Sequence, residues 1–398
     1  MFSLEFPALV CGLLGGALSC AVVLAVLMIP RLVRVRRRVA SDASLLAEAD
    51  DAVREYPAVS VIVTADDDAR NLSDLLPQLL GQDYPAPMEV IVVDSGEGSP
   101  TETVVARLQG DHPNLYLTYV PARSRNLSRK KLAVTLGVKA ARYDCLLLTC
   151  GNCRVCSSLW LRAMCRHFAE GREVVAGYSR PVPADSDGGR GESRAQAFDR
   201  VRSQVEWLVP AMRGRMWRAD GNNLGYTRRL FYENKGFQRS LNLKYGDDDI
   251  FVREIATADN CAVELSPESM VDELEQDVAR AHRLDGIHRE FTASMLPGGS
   301  RRVWALMSWL WWGYLCLGAA AAALSWPSLI PLAVVAVVWI GLAVATGLAW
   351  RGTMRALKSR PLCLTVAWFV TVHPFHTLAR RIRARRFRYT NFTWTTEK

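Results

Sequence analysis

Three adjacent carboxylates, Asp247-Asp248-Asp249, are the residues of this 398-residue chain best suited by type and spacing to do chemistry. Carboxylates held together resist full ionisation, so at least one gains a raised pKa and becomes a better proton acceptor near neutral pH. A base of that kind can take the proton from an attacking hydroxyl. The same run also reads as an acidic helix start, because Asp complements the positive end of a helix dipole. A second group is Cys150, Cys153 and Cys156, spaced C-x-x-C-x-x-C. That spacing suits zinc or an iron–sulfur cluster, with Cys145 or Cys165 as a fourth ligand. The alternative is three thiols that share only a loop and a strand end. Asp66-Asp67-Asp68, Asp94 and Lys130 complete the set. Asp68 reads equally as the cap of a following helix, and Lys130 as a solvated surface charge. A lone carboxylate that ends a buried strand, as Asp94 does, needs a partner.

The elements around these residues alternate. Ala58–Val63, Met88–Val93, Leu115–Val120 and Cys145–Thr149 are short apolar or β-branched runs, and helical spacing fills the intervals at 72–81, 101–108 and 129–141. Strands alternating with helices predict an α/β fold with a mostly parallel, doubly wound sheet. Ligands of such sheets bind beyond the carboxyl ends of the strands. Asp66–Asp68, Asp94 and Cys150-Gly151-Asn152 all fall there. Further on, the pattern predicts an amphipathic helix over 195–213, a Gly/Asn-rich loop over 217–226, a helix after the three carboxylates and a strand at 261–265.

Half the residues are hydrophobic and the net charge is +9. The charge sits in Arg31–Arg38 (RLVRVRRR) and Arg380–Arg388 (RRIRARRFR), each beside an apolar stretch. Basic runs that flank apolar segments mark the cytoplasmic face of a membrane. No DNA-binding motif or basic-aromatic interleaving accompanies them, so nucleic acid is not an expected partner. Pro7–Ile29 carries no charge over 23 residues, and Val303–Trp350 none over 48, with a turn at Trp326-Pro327-Ser328. Those lengths suit one span and a two-span hairpin. A fourth crossing at 361–378 would put Arg380–Arg388 outside, against the positive-inside rule, so that segment is read as interfacial or re-entrant. The expected organisation is a transmembrane anchor at 1–30, a basic juxtamembrane linker at 31–56 and a globular domain at 57–295. Two transmembrane helices at 303–350 follow, then an interfacial helix with a basic tail at 361–398. The globular domain is expected on the cytoplasmic side of the inner membrane, with the ten cysteines in a reducing compartment.

Four segments in order resemble the membrane-bound family-2 glycosyltransferases: VSVIVTADDDARNLSDLLPQLLGQDYP, MEVIVVDSGEGS, RKKLAVTLGVKAARYDCLLLT and LFYENKGFQRSLNLKYGDDDIFVREIAT. The last is similar to members of the Bacteroidetes type, and the resemblance covers residues 57–295. It implies the nucleotide-sugar-binding GT-A fold, a nucleotide-sugar donor and a lipid-linked or saccharide acceptor beside the bilayer. It implies that Asp68 helps hold the nucleoside, that Asp94 recognises the base or ribose, and that Lys130 sits near the diphosphate. It makes Asp248 the catalytic base of an inverting transfer, with Asp247 beside it and Asp249 in that role if the alignment slips by one.

The chain departs from that pattern at three places. The family carries D-x-D after the fourth strand, where two carboxylates hold Mg²⁺ or Mn²⁺ on the diphosphate. Here Cys150-Gly151-Asn152 stands there, and only Asn152 offers an oxygen. The membrane-proximal glutamine, arginine and tryptophan motif is reduced to Ile287-His288-Arg289-Glu290, leaving Arg289 to meet the diphosphate. Ser95 replaces a second carboxylate after Asp94. Three explanations stand at this point: a transferase that neutralises the diphosphate with Lys130 and Arg289, an inactive membrane scaffold, or a cysteine-bound metal.

Overall fold

A computed structural model describes residues 8–48, 55–66, 69–96, 98–121, 128–184, 191–241, 243 and 245–386. The chain divides into two compact units. One comprises Met1–Arg37, Ser193–Val209 and Gly298–Arg381; the other comprises Arg38–Glu192, Pro210–Pro297 and Ile382–Lys398.

In chain order the elements begin with α1 (Ala8–Ala47), β1 (Val59–Ala65), α2 (Ala69–Leu80), β2 (Met88–Asp94), α3 (Pro100–Gln109), β3 (Leu115–Tyr119), α4 (Arg129–Ala140) and β4 (Cys145–Cys150). Then come β5 (Cys153–Val155), α5 (Trp160–Ala169), β6 (Val174–Ala176), β7 (Ser179–Pro183), α6 (Arg194–Ala211), β8 (Leu224–Thr227) and α7 (Arg228–Glu233). The last are α8 (Ile250–Ile255), β9 (Cys261–Val263), β10 (Val271–Glu275), α9 (Val278–Thr292), α10 (Gly299–Leu324), α11 (Ile330–Ala356) and α12 (Thr365–Arg386).

The second unit is built on a seven-stranded sheet of order β3-β2-β1-β4-β8-β6-β9. Strands β1 to β4 are parallel, β8 runs against both its neighbours, and β6 and β9 return to the common direction. The expected α/β class with a mostly parallel sheet is what the chain adopts. Val61, Val63, Leu147 and Val175 are fully buried, as are Leu72, Leu75, Leu76 and Leu79 along one face of α2. A smaller sheet, β5-β10-β7, flanks the large one.

The sequence reading leaves Leu224–Tyr226 in a loop, whereas the structure makes them the start of β8. The strand was masked by the Gly and Asn residues around it. Gly225 lies so close to β4 that a Cβ there would come 2.6 Å from Leu147 Cδ2. The glycine therefore serves strand packing here, not a turn.

Parallel register brings Ala65, Asp94 and Cys150 to one edge, since Ala65 pairs with Asp94 and Thr64 with Cys150. Because β8 is reversed, its beginning reaches that same edge, with Leu224 opposite Leu148. The loop before it, through Gly221-Asn222-Asn223, is thereby delivered to the strand ends.

The last turns of α1 belong to this unit and carry a fully buried carboxylate, Asp42. It accepts from Arg38 at 2.8 Å, Arg166 at 2.9 Å and the Leu265 amide at 3.0 Å. Arg166 also meets Glu264 at 2.6 Å, and Glu264 meets His167 at 2.9 Å. The stretch read as a basic linker is thus helical as far as Ala47.

In the first unit, α1, α10 and α11 are long and apolar enough to cross a membrane. Val22, Val26, Val337 and Ile340 are each more than half exposed on them, as lipid-facing side chains are. Helix α12 is two-sided. Phe369 and His373 face α6, where Phe198 stacks on Phe369 and meets His373 edge-on, and Asp199 binds His373 at 3.1 Å and Arg380 at 2.9 Å. Trp368, Phe375, Leu378 and Ile382 are exposed and recur on the opposite face.

Gly137 of α4 is pressed onto β1, and a Cβ there would lie 2.4 Å from Ile62 Cγ2. Helix propensity alone makes Gly→Ala stabilising by about 1 kcal/mol. A branched side chain locked in a strand cannot swing away, and overpacking costs about 1–3 kcal/mol. Gly137→Ala is therefore expected to lower stability in thermal unfolding of the detergent-solubilised protein; a raised Tm would contradict the close packing.

Candidate active site at the strand ends

Adjacent lysines at the start of α4 do different work. Lys131 is fully buried, and its Nζ donates to the carbonyls of Ser240 at 2.6 Å, Leu243 at 3.2 Å and Tyr245 at 2.7 Å. Burial pulls its pKa down to about 8, against the pull of Asp247 and Asp249. This ammonium pins the segment that leads into the three carboxylates. Lys130 points to the solvent side and binds Asp247 Oδ2 at 3.0 Å. Burial opposes its charge, but Asp247, Cys150 and Asp248 hold it well above the ordinary lysine value.

The three carboxylates are pushed apart in character. Asp247 is disfavoured by burial yet held below the usual carboxylate range by Lys130. Asp249 is completely buried and caps α8, its Oδ1 accepting from the Ile250 amide at 2.6 Å. Its Oδ2 lies 3.5 Å from His288 Nε2, and despite burial that imidazole holds Asp249 at about 2. Asp248 gets no such close partner. Burial and the neighbouring Asp247 raise it to about 7, and its Oδ1 is 3.9 Å from His288 Nε2.

His288 stacks on Tyr245 with ring centroids 4.3 Å apart. Burial disfavours its proton, but Asp249 and Asp248 keep its pKa above the ordinary value. The sequence showed this residue only as part of a reduced motif. Arg218 is a further cation that spacing did not reveal, with Asp285 at 3.4 Å and charge contacts to Asp248 and Asp249.

The loop before β8 closes the other side. Ala219 donates to the Asp248 carbonyl at 2.8 Å, and a Cβ on Gly221 would sit 3.1 Å from Asp248 Cβ and 3.4 Å from Lys130 Nζ. Asn223 is structural: its amide donates to Tyr178 and Ser269 carbonyls and accepts from Trp160. Asn222 faces the site, with Oδ1 2.9 Å from Cys150 Sγ. Glu273, from β10, also faces Cys150; burial, Asp220 and Glu275 raise it to about 8.

The structure therefore groups Asp247, Asp248, Asp249, Lys130 and Cys150. Asp94 ends β2 within the same edge, fully buried, with Oδ2 taking the Ser99 hydroxyl and Oδ1 lacking a partner among the described residues. Asp68 lies outside the described residues. Arg289 is paired with Asp285 at 3.0 Å, beside Arg218.

A hard divalent cation does not fit the Cys150-Gly151-Asn152 turn. Cys150 offers sulfur, and the side chain of Asn152 is turned toward Cys153. Such a set is neutral or soft where Mg²⁺ or Mn²⁺ needs several charged oxygens. The cysteine-metal reading is also corrected. Cys153 heads β5 facing inward, whereas Cys156 lies past the end of the strand and is exposed, so C-x-x-C-x-x-C does not converge. Among the described residues the one group with metal-ligand spacing is Asp248, Asp249 and His288. Both carboxylates also favour a proton on His288.

No protein-family model matches the chain, and no curated protein does. Among solved structures, the mannosyltransferase PcManGT from Pyrobaculum calidifontis in complex with GDP-Man and Mn²⁺ is 17% identical, covers 90% of this chain and 98% of its own, and has a TM-score of 0.49. S. aureus TarS 1-349 is 16% identical over 83% of this chain and 92% of its own, TM-score 0.41. The same protein in complex with UDP-GlcNAc is 14% identical over 82% and 91%, TM-score 0.41.

The two lysines separate in their expected effects. Lys131→Met removes the ammonium shared by three carbonyls, of which Ser240 keeps the Leu243 amide as donor, and is expected to cost about 2–4 kcal/mol in unfolding experiments. Lys130→Met, half-exposed, is expected to cost clearly less. Equal losses would show that Lys131 does not hold the loop.

Proposed function

We propose that the protein is a glycosyltransferase that moves a sugar from a nucleotide-sugar donor to a membrane-proximal, lipid-linked or saccharide acceptor, with inversion at the anomeric carbon. The observation that carries this reading is the separation of three neighbouring carboxylates into one poised base and two fixed anions. Asp248 alone sits near neutrality, at about 7. Asp247 is tied to Lys130 and Asp249 to the α8 cap and His288. The placement at the carboxyl ends of parallel strands and the family-like segments around it support the same reading.

In the reaction, Asp248 takes the proton of the acceptor hydroxyl as its oxygen attacks the anomeric carbon. The bond from that carbon to the diphosphate oxygen breaks, and the diphosphate departs as an anion. Lys130 supplies positive charge for the leaving group, with Arg218 and Arg289 as further cations at the same end. Asp94 Oδ1, buried without a partner among the described residues, is suited to accept from the nucleoside. Asp68 takes the adjoining nucleoside contact that the family resemblance implies. No step is routed through a metal at Asn152.

The globular unit is assigned to the cytoplasmic side of the inner membrane, on the positive-inside distribution of Arg31–Arg38 and Arg351–Arg360. The exposed apolar face of α12, ending in arginines, fits a helix lying in the interfacial layer. A second reading, a membrane scaffold without turnover, is favoured by one observation alone, the loss of both carboxylates at Cys150-Gly151-Asn152.

Purified protein supplied with labelled UDP- and GDP-sugars, with and without Mn²⁺, separates the two. The expected result is donor turnover that survives chelation and falls at least about 100-fold in Asp248→Asn. Absence of turnover with every donor, together with full cellular function of Asp248→Asn, would establish the scaffold.

The pH dependence has a definite sign. Asp248 acts only when ionised, so the rate should climb as pH rises through about 7 and then level. A rate that falls over that interval would remove Asp248 as the base.

A further inference from the structure

Cys150 closes β4 and Cys153 opens β5, with Gly151-Asn152 as the turn between them. The first and fourth residues of a β-turn lie within about 7 Å. That separation is within the reach of a disulfide. Both thiols are free, and the Cys153 sulfur lies 3.9 Å from Oδ1 of Asn152 within that turn.

They differ in access. Cys153 is buried, at 1% exposure. Cys150 is only half-buried and faces the site, 3.3 Å from Thr64 Oγ1 and 2.9 Å from Asn222 Oδ1, with the Lys130 ammonium close by. Neither thiol has a role in the sugar-transfer steps above. One reachable sulfur backed by a second, protected sulfur is the arrangement of a dithiol that oxidises in two stages.

We propose that Cys150 and Cys153 form a peroxide-sensitive dithiol that closes to an intramolecular disulfide beneath the diphosphate position. In the first stage the Cys150 thiolate attacks one oxygen of hydrogen peroxide; the O–O bond breaks, hydroxide leaves, and Cys150 becomes a sulfenic acid. In the second stage the Cys153 sulfur attacks the Cys150 sulfur; the S–O bond breaks, and the oxygen leaves as water with the proton that Cys153 gives up. Two thiols and one peroxide become one disulfide and two waters.

The neighbouring Cys153 thiol, ahead of Lys130 and Thr64, lowers the Cys150 pKa to about 6, while burial opposes it. The Cys153 thiol is raised by the neighbouring Cys150 and by burial. The balance favours the anion on Cys150 and the proton on Cys153. Amide orientation is adjustable, so Asn222 can turn its NH₂ toward a thiolate. Oxidation removes that anion from beside Lys130 and withdraws the sulfur from Asn222, loosening one contact of the loop that touches Asp247 and Asp248.

The test uses full-length reduced protein in detergent and needs no activity. After treatment with hydrogen peroxide and then N-ethylmaleimide, the expected intact mass shows two of the ten thiols protected. Peptide mapping should give a Cys150–Cys153 cross-link. Cys153→Ser should stop at the sulfenic acid, trapped by dimedone on Cys150. In Cys150→Ser, Cys153 should remain alkylatable once the protein is denatured. Cys150 still open to maleimide after peroxide, in wild-type protein whose Tm is unchanged, overturns the proposal. So does a cross-link that maps to any other pair.

Discussion

A single buried ammonium, that of Lys131, is the contact on which the geometry of this site depends. Taking a lysine out of water is costly, and three carbonyls from the 240–245 segment offset that cost only if they stay where they are. The reverse also holds, because the lysine is the one charged donor that ties all three carbonyls together, Ser240 otherwise taking only the Leu243 amide. The segment before Asp247 is therefore tied to the first turn of α4, which itself packs against β1. Once that is fixed, Lys130 emerges on the other side of the same turn and meets Asp247. The pair of lysines converts a helix start into a rigid jig for the carboxylates.

The outcome is a division of labour among side chains of one type. Asp247, Asp248 and Asp249 share a sequence, yet their titration is set by what each one touches. Two are neutralised by neighbours, so the penalty of crowding falls on the third. This differs from a simple acidic helix start, where all three would lie in water. Asp249 does cap a helix, so that part of the plain reading was correct for one residue of the three.

Much of the fold could be read directly from residues. The β-branched runs, the α2 leucines and the long uncharged stretches each announce their element, because burial acts on every residue of them. Asp94 was legible because it ends an apolar strand, and the three carboxylates and Lys130 because charged residues cluster at the starts of helices. What spacing could not show was contact over long separations. β8 was hidden by Gly225, whose absence of a side chain is a packing requirement of Leu147. Lys131 is one residue from Lys130, and nothing local distinguishes the buried one from the one that meets Asp247. His288 and Arg218 come from segments far along the chain, and the failure of the cysteine triplet to converge follows from strand alternation beyond the turn.

Asp42 lies near the end of the first helix, and apart from Arg38 on the same helix its partners are made much later. Arg166 follows by 124 residues and Leu265 by 223. While the chain is being synthesised, α1 is complete long before Arg166 or the Leu265 amide can receive its carboxylate. The globular unit cannot seal until residue 265 has left the ribosome, although its four parallel strands are finished by residue 150. Non-local closure of this kind slows folding and prolongs the exposure of sheet edges. The nascent protein thus passes through a stage in which its first helix is available to the membrane while a half-built sheet awaits β8 and β9, and it is in that stage that a truncated or stalled chain would aggregate.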